Sequence, residues 1–198
     1  MATNNGKEIR VAGTGRVLVA PAGTTAPVKS DDVWPTGWVE LGYTSVDGIK
    51  LNKKDKIDPV DTWQSASPGR FIYSDRDLTV KFQLLQMNKS TLSFFMGIPA
   101  TGITQTSVGG TAVADTYEFL IPSTPAKDER ALGIEFTDGT DAVYRFILPR
   151  GQVTETEEMG FTRTGSVKLG VTYTALEAES ANRELAKWIM KDKAYAAL

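Results

Sequence analysis

The sequence contains no cysteine and no histidine in its 198 residues. Without them the chain cannot form a Ser-His-Asp or Cys-His nucleophile, a disulfide, or a zinc site of the usual Cys/His kind. An enzyme would have to rely on paired carboxylates, a lysine or a carboxylate-held metal, and no short motif singles out such residues. We therefore expect a protein that is not an enzyme and that uses no cofactor.

Excess charge and long apolar runs are also missing. The 22 basic and 24 acidic residues give a formal net charge of −2, and such a chain lacks the basic excess that drives binding to phosphate backbones or anionic lipid. No stretch of about 18 apolar residues occurs, and the N-terminus has no apolar core like that of a signal peptide. We expect a protein made in the cytosol that does not bind membranes.

The residues that are abundant favour β-structure. Threonine, valine, isoleucine and the aromatic residues account for 66 of the 198 residues, and these side chains prefer extended backbone. The clearest strand runs from Arg76 to Gln86, where apolar and polar residues alternate. Roughly eight short strands of this kind predict a mainly β sandwich or barrel in residues 15–175.

Two helices are predicted. Asn88 or Ser90 can cap a short internal helix that Gly97 ends, and the helix is expected to lie on a sheet. After Thr174 the composition changes to Ala, Glu, Leu and Lys, which are good helix formers. Residues 176–198 are therefore predicted to be a C-terminal helical extension, packed on its own domain or on a neighbouring subunit.

Three segments lack a regular period. Residues 1–14 are polar and are interpreted as an arm that a partner orders, or alternatively as a frayed terminus. Residues 98–114 are rich in Gly and Thr and are interpreted as a loop. Residues 52–75 are long for a connection, but their aromatic residues argue against disorder. They are interpreted as an extended arm, with a loop folded over its own domain as the alternative.

Three motifs occur in order along the chain. The first runs from Trp38 to Ile49 and contains Leu-Gly-Tyr and, further on, Asp-Gly. The second is the strand that ends at 84–88 before a short helix, and the third is Asp138-Gly139 followed by the run 144–150. Together they resemble the major tail tube proteins of long-tailed, non-contractile phages, and the resemblance spans residues 10–175.

The resemblance implies two packed antiparallel sheets with a flanking helix. It also implies that six copies form a ring by joining their inner sheets into one barrel, and that rings stack into a tube through which DNA leaves the virion without sequence-specific binding. The implied partners are further copies of the chain, a tape measure protein, a tail terminator and distal tail proteins. The implied location is the virion tail, assembled in the cytoplasm of the bacterial host.

Two sets of contact residues follow from the resemblance. A long hairpin loop reaching a neighbouring subunit or ring fits residues 52–75, with the contacts predicted at Lys53, Lys54, Asp58, Pro59, Trp63, Pro68, Arg70 and Phe71. The polar strand faces are expected to line the lumen through Thr79, Lys81, Gln83, Thr154, Thr156, Ser166, Lys168 and Thr172, with Glu155, Glu157 and Glu158 supplying negative potential nearby.

Other functions use the same residues differently. A tube protein of a contractile or secretion system would share the fold. A carbohydrate-binding sandwich of the virion would use Trp34, Trp38 and Trp63 as stacking platforms, although Trp38 is expected to be a core residue. An enzyme would need two carboxylates on one face of a strand or loop. The candidate pairs are Glu155 with Glu157 and Asp58 with Asp61.

Overall fold

The computed structural model describes residues 4–196, within which the chain forms ten β-strands and one α-helix. The strands are β1 (Thr14–Pro21), β2 (Val39–Glu40), β3 (Lys50–Thr62), β4 (Ser65–Leu84), β5 (Thr104–Val108), β6 (Thr111–Glu118), β7 (Arg130–Asp138), β8 (Ala142–Thr156), β9 (Leu169–Ala175) and β10 (Lys187–Lys191). The helix is α1 (Lys89–Met96), and short 3-10 turns occur at Gly6–Glu8, Ala100–Gly102 and Lys193–Ala196.

The main sheet is antiparallel in the order β2-β1-β7-β8-β9-β4-β3, with β10 also paired to β8. The long strand β8 divides it into two half-sheets. Its first part pairs with β7 and β10, and its second part pairs with β9. Gly151 lies where the two parts meet, and a Cβ there would be 2.4 Å from the carbonyl oxygen of Thr174. A side chain at this position would clash with that carbonyl group, so only glycine fits here.

Both half-sheets contribute to one hydrophobic core, so the predicted pair of packed layers consists of the two half-sheets joined through β8. The mainly β fold is thus confirmed. Core and polar residues alternate along the end of β4, as the period of two requires, whereas β1, β8 and β9 contain continuous buried runs. The core residues include Val17, Val19, Leu132, Ile134, Phe146 and Leu148 from the first half-sheet and Leu78, Val80, Phe82, Leu84, Leu169, Val171 and Tyr173 from the second.

The segment 41–45 links β1 of the first half-sheet to the end of β4 in the second. The Leu41 N–H donates to the Val17 carbonyl oxygen (2.9 Å), and the Ser45 N–H donates to the Gln83 carbonyl oxygen (2.9 Å). Gly42 between them has a φ of 79°, in the left-handed region that glycine adopts without strain. The core is therefore enclosed on this side as well, in the manner of a barrel.

The internal helix begins and ends where the sequence predicted. The Asn88 side chain accepts from the N–H groups of Ser90 (2.9 Å) and Thr91 (3.0 Å), and the Thr91 hydroxyl accepts from the Asn88 N–H (2.9 Å). This reciprocal capping box fixes the N-terminus. Gly97 ends the helix in the left-handed conformation, with a φ of 63°. The helix packs on the core through Phe94 and Phe95.

The predicted C-terminal helix is wrong. Residues 187–191 form β10 and residues 193–196 form a 3-10 turn, while residues 197–198 lie outside the described part of the chain. Trp188 packs on Phe146 with ring centroids 4.6 Å apart. Pairing with β8 and this aromatic contact outweigh the helix propensity of the flanking residues, because propensity is a weak prior that tertiary packing overrides.

Two predicted loops are β-hairpins. Residues 52–75 lie in the paired strands β3 and β4, and most of residues 98–114 belong to the hairpin of β5 and β6. The second hairpin turns at Gly109 and Gly110, whose φ values of 59° and 83° suit a tight two-residue connection. The Gly-Gly pair between Thr- and Val-rich runs was a usable sequence signal for this hairpin.

A cluster of three side chains ties the start of the chain to its end. The Arg10 guanidinium donates two hydrogen bonds to the Asp192 carboxylate (2.5 and 2.6 Å), and the Tyr144 hydroxyl also donates to it. Residues 4–13 of the predicted N-terminal arm are therefore anchored through Arg10, and residues 1–3 lie outside the described residues. Arg10 and Tyr144 hold the pKa of Asp192 well below its ordinary value.

This terminal cluster should make stability depend on pH in acid. A carboxylate whose folded-state pKa is lowered stabilises the fold fully above its unfolded pKa, about 3.9 for Asp, and that contribution is lost as the pH falls further. We expect Asp192→Asn to lower the melting temperature at pH 7 and the gap from the unmodified chain to shrink below about pH 4. The exposed change Asp141→Asn serves as the control, and a gap that stays constant down to pH 2 would contradict the assignment.

Candidate assembly surfaces

The hairpin of β3 and β4 extends far beyond the core. The two strands pair from Lys50 opposite Lys81 to Thr62 opposite Ser65, but none of residues 54–77 is buried. We call residues 54–77 the arm. At about 3.3 Å per residue, the stretch from Lys54 to Thr62 reaches roughly 30 Å past the last core layer.

One face of the arm is apolar. Directly opposed residues lie on the same face of an antiparallel pair, so Ile57 lies beside Tyr73 and Pro59 beside Phe71. Trp63, at the tip, is 98% exposed. A two-stranded ribbon with several exposed aromatic residues is marginally stable alone, and an apolar patch of this kind marks a contact site.

The other face of the arm carries balanced charge. Lys54 lies opposite Asp77 and Lys56 opposite Asp75.

At the base of the apolar face, Asp55 binds Arg76 (2.7 Å) and Lys53 (2.6 Å), and these hydrogen bonds lower the pKa of its carboxyl group. The arm is therefore a ribbon with one apolar face and one face on which charged residues stand beside Ile72 and Val60.

The arm and its base contain every residue that the sequence predicted for contacts with neighbouring copies. The segment is extended away from the core, as the interpretation of an arm expected, and it is not folded over its own domain. Its regular strand pairing was not predicted, since both faces of the hairpin are exposed. The contact role itself stays a prediction. Within the hairpin, Lys53 lies at the base, Lys54, Asp58 and Arg70 belong to the charged face, Pro59 and Phe71 to the apolar face, and Trp63 and Pro68 lie at or near the tip.

The outward face of the second half-sheet, which we call the polar face, collects most of the predicted lumen residues. Thr79, Lys81 and Gln83 alternate along β4 with buried core residues. Lys81 lies 4.0 Å from a carboxylate oxygen of Glu155, and Gln83 donates to Glu157 (2.6 Å). The hydrogen bond from the neutral Gln83 amide leaves the charge of Glu157 in place, and the Lys81–Glu155 pair is exposed, so the negative potential expected from these glutamates stays a prediction.

A bulge in β8 changes which residues share this face. The register shifts between Val153 and Glu155, and the Thr154 hydroxyl lies 2.8 Å from that of Thr174 on the polar face. Thr156 lies opposite Val171, a core residue, so its predicted place on the polar face is wrong. Thr172 belongs to the polar face, but only 9% of its surface is exposed. Three further predicted residues are exposed in the connection before β9, namely Glu158, Ser166 and Lys168.

The tryptophans do not form a shared platform for a sugar. Trp34 and Trp38 lie against each other (ring centroids 4.8 Å) and cover Gly133 of β7, where a Cβ would be 2.5 Å from Trp34. Trp38 is half-buried on the outside of the sheet, so its predicted place in the core is wrong. Trp63 lies apart at the tip of the arm, which leaves the sugar-binding alternative without its proposed surface.

The loop that holds these tryptophans is fixed by a buried arginine. Arg145 is 4% exposed and donates to Glu135 (2.6 Å), to the Lys29 carbonyl oxygen (2.8 Å) and to the Asp32 carbonyl oxygen (2.7 Å). Burial raises the pKa of Glu135, but hydrogen bonds from Trp34 and Arg145 more than offset this and hold it below its ordinary value. The sequence signal was a single charge inside the apolar run 143–148.

The two candidate carboxylate pairs lie on exposed surfaces. Asp58 and Asp61 lie on the exposed arm, and the glutamates of the polar face have the partners given above. Between residues 4 and 196, no group of three or more acidic side chains is placed to hold a metal ion. None of the helices described is long and apolar enough to cross a membrane.

The fold is thus that of a β-rich protein with an exposed two-faced arm and a broad polar sheet face, the kind of surface that often marks a contact site. The family model described as phage tail tube protein matches residues 1–198, the whole chain, and the chain therefore belongs to that family. No curated protein matches it. The resemblance is thereby confirmed at the level of the family.

Family membership fixes the general role. Phage tail tube proteins are structural components of the virion tail, so the chain is a bacteriophage structural protein that assembles with other tail components into the tube. This membership points to a role that is not enzymatic. The arm and the polar face are the candidate surfaces for contacts in that role.

Proposed function

We propose that this chain forms hexameric rings that stack into the tail tube, and that the genome passes through the lumen during ejection. The observation that carries the proposal is the arm, which presents aromatic residues well outside its own core. Family membership supports the tube itself. Ring size and DNA passage rest on the sequence resemblance to tubes of non-contractile tails.

The arm contacts another copy of the chain. Its apolar face has no cover within residues 4–196, since Tyr73 and Phe71 are exposed. Removing apolar surface from water is worth about 25 cal/mol per Å², so covering these rings in a neighbour is a substantial gain. A reach of roughly 30 Å suits a neighbouring subunit or the next ring.

The polar face lines the lumen. Six copies that each contribute four strands make a barrel of about 24 strands, with a circumference of about 115 Å at the usual strand spacing. Barrels of 16–18 strands already leave an aqueous channel. Hydroxyl groups, and acidic side chains such as Glu155 near Lys81, suit such a channel, because unopposed cations would bind phosphates through counterion release.

The other partners follow from the same resemblance. They are a tape measure protein, a tail terminator and distal tail proteins. Assembly takes place in the cytoplasm of the bacterial host. The arm at one ring end and the polar face along the lumen are the surfaces available for these contacts.

Electron microscopy of the concentrated protein in negative stain tests the proposal. We expect rings with six subunits, or tubes built from them. A chain that stays monomeric at high concentration by analytical ultracentrifugation, and shows no ring or tube in the microscope, would refute it.

The lumen assignment predicts a charge effect at Thr79. Thr79→Lys adds one cation per copy to the polar face, repeated around every ring, and should slow DNA ejection from otherwise normal tails by holding phosphates. Raising the salt concentration should relieve the delay. Thr79→Glu is the matched control and should eject at the normal rate. Equal ejection kinetics of both variants at low salt would place Thr79 outside the lumen.

A further inference from the structure

A second ribbon leaves the body of the protein between α1 and β7. Its strands, β5 and β6, form a sheet of their own, and no other strand in the described part of the chain pairs with either. We call residues 104–118 the second hairpin. None of residues 104–127 is buried, and Val108 and Tyr117 are exposed apolar side chains of the hairpin. A two-stranded ribbon is marginally stable in water, so this one would gain from a further strand.

The outer edge of β5 lacks the features that keep strand edges apart. Proteins protect free edges with charged side chains, proline or bulges, and β10, for example, begins and ends in lysine. Residues 101–114 contain no charged residue and no proline. On the other side of the hairpin, β6 is interrupted at Asp115, whose φ of 55° lies in the left-handed region. The edge that invites pairing with another chain is therefore that of β5.

The second hairpin starts on the side of the second half-sheet that is opposite the polar face. The Phe94 ring of α1 stacks on Phe82 of β4 and on Tyr173 of β9, with centroids 6.1 and 6.2 Å apart. Because these two residues point into the core, α1 and the polar face lie on opposite sides of the same strands. The second hairpin follows α1 through a short 3-10 turn and is rooted at the buried Ile103. In a ring with the polar face inside, this root lies on the outer side.

The spacing of copies leaves the β5 edges of one ring apart from each other. A lumen with a circumference of about 115 Å has a radius of about 18 Å, and a second sheet layer lies about 10 Å further out. Six roots at that radius are about 30 Å apart, whereas paired strands are about 4.8 Å apart. The second hairpins of a ring are therefore too far apart to pair side by side, and their edges remain free for a different chain.

An apolar cavity lies beside the root of the second hairpin. It has a volume of about 310 Å³ and is lined by Pro99 and Ala100 before the hairpin, by Asp128 and Arg130 after it, and by Val19 of β1. Sites that bind an extended peptide as an added strand combine a backbone edge, which gives affinity, with pockets for side chains, which give specificity. The β5 edge and this cavity provide both parts.

We propose that the β5 edge is a strand-addition site for an extended, uncharged segment of another protein of the virion, held on the outside of the tube. The segment pairs with β5 through backbone hydrogen bonds and places an apolar side chain in the cavity. The inference rests on the proposed ring for the position of the site outside the tube. The ring itself does not need this contact.

Ser107 allows the edge to be blocked without breaking the second hairpin. Val108 and Thr111 are the pair that closes the two-residue turn, and hydrogen-bonded and non-hydrogen-bonded pairs alternate along antiparallel strands. The next pair, Ser107 with Ala112, therefore directs its N–H groups outward. Ser107→Pro removes the outward donor of β5 and keeps the bonds between β5 and β6. Ser107→Ala keeps the donor, and Ala112→Pro blocks the β6 edge instead.

Hydrogen exchange followed by mass spectrometry tests the site by comparing the purified chain, before and after assembly, with tails isolated from virions. Peptides that cover residues 103–108 should exchange roughly tenfold more slowly in the virion tails, because a partner strand covers their outer edge. Virions carrying Ser107→Pro should lose this protection, whereas those carrying Ser107→Ala or Ala112→Pro should keep it. Equal exchange in the assembled purified chain and in unmodified virion tails would overturn the proposal.

Removing the second hairpin identifies the occupant. With residues 104–118 replaced by a short Gly-Ser linker, the purified chain should form tubes as the unmodified chain does, because the partner is a different protein. Loss of polymerisation in this variant, with its fold intact by circular dichroism, would assign the edge to a second copy and overturn the inference while the proposed function stands. An unmodified chain that forms neither rings nor tubes would refute the proposed function, and slower exchange in virion tails than in that chain would still support the strand-addition site.

Discussion

Replacing residues 57–74 with Asn-Gly should yield a folded chain that no longer polymerises. The change removes the outer part of the arm and joins Lys56 directly to Asp75, which are paired in register. Asn-Gly is the preferred two-residue connection for such a hairpin. Since none of the removed residues is buried, the melting temperature should stay close to that of the unmodified chain.

The reason to expect a complete loss is that every contact attributed to the arm disappears together. Sedimentation and electron microscopy of concentrated protein measure the outcome. A simple deletion from Lys53 to Arg70 would be a poorer test, because it removes one strand and leaves the other without its partner. Tubes of normal length from the shortened chain would remove the arm from the assembly mechanism.

Substitutions that keep the arm at full length test the contribution of each face to polymerisation separately. Phe71→Ser with Tyr73→Ser removes the aromatic rings and should also suppress polymerisation. Lys56→Ser with Asp75→Ser changes a pair on the charged face and should leave polymerisation nearly intact. If both double variants behave alike, the apolar face is not the adhesive one.

Arg145→Met should produce the largest loss of stability among the single substitutions considered. Breaking a buried ion pair by removing one partner costs about 3–5 kcal/mol, because the remaining charge stays buried. For a chain of this size each kcal/mol lowers the melting temperature by roughly 2–4 °C. The expected drop is therefore of the order of ten degrees, with loss of the packing around Trp34, measured by its fluorescence.

The same carboxylate provides the control. Arg16 also binds Glu135 (2.8 Å), but its side chain is 40% exposed, and exposed pairs contribute about 1 kcal/mol or less. Arg16→Met should therefore lower the melting temperature only slightly. Combining Arg145→Met with Glu135→Gln should recover part of the loss, since no buried charge is then left alone. Equal effects of the two arginine changes would show that burial is not the cause.

Patterns within short stretches of the sequence predicted the elements whose ends and faces depend on neighbouring residues. Alternation located the strand that ends at Leu84, and the capping residues Asn88 and Gly97 gave the helix its ends. The C-terminal helix failed because Trp188 is held in a strand by a distant aromatic ring. No local pattern contains that contact, so propensity alone gave the wrong element.

The sequence identified most residues of the candidate surfaces but not how their strands pair or which face each residue lies on. The residues of the arm were identified, but its regular pairing was hidden, since a ribbon exposed on both faces lacks the usual contrast between inside and outside. On β8 a single bulge moved Thr156 off the polar face, and a shift of one residue exchanges the faces of a strand. Such bulges depend on the partner strand and leave little trace in the sequence.

The one-sided position of the arm gives any filament of these subunits a direction. In the proposed stack of rings, every arm would extend past the same end of its ring. One end of the tube would then carry exposed arms and the other the surfaces that receive them. Subunits would therefore add through different contacts at the two ends, and a protein that starts the tube would meet a different surface from one that stops it.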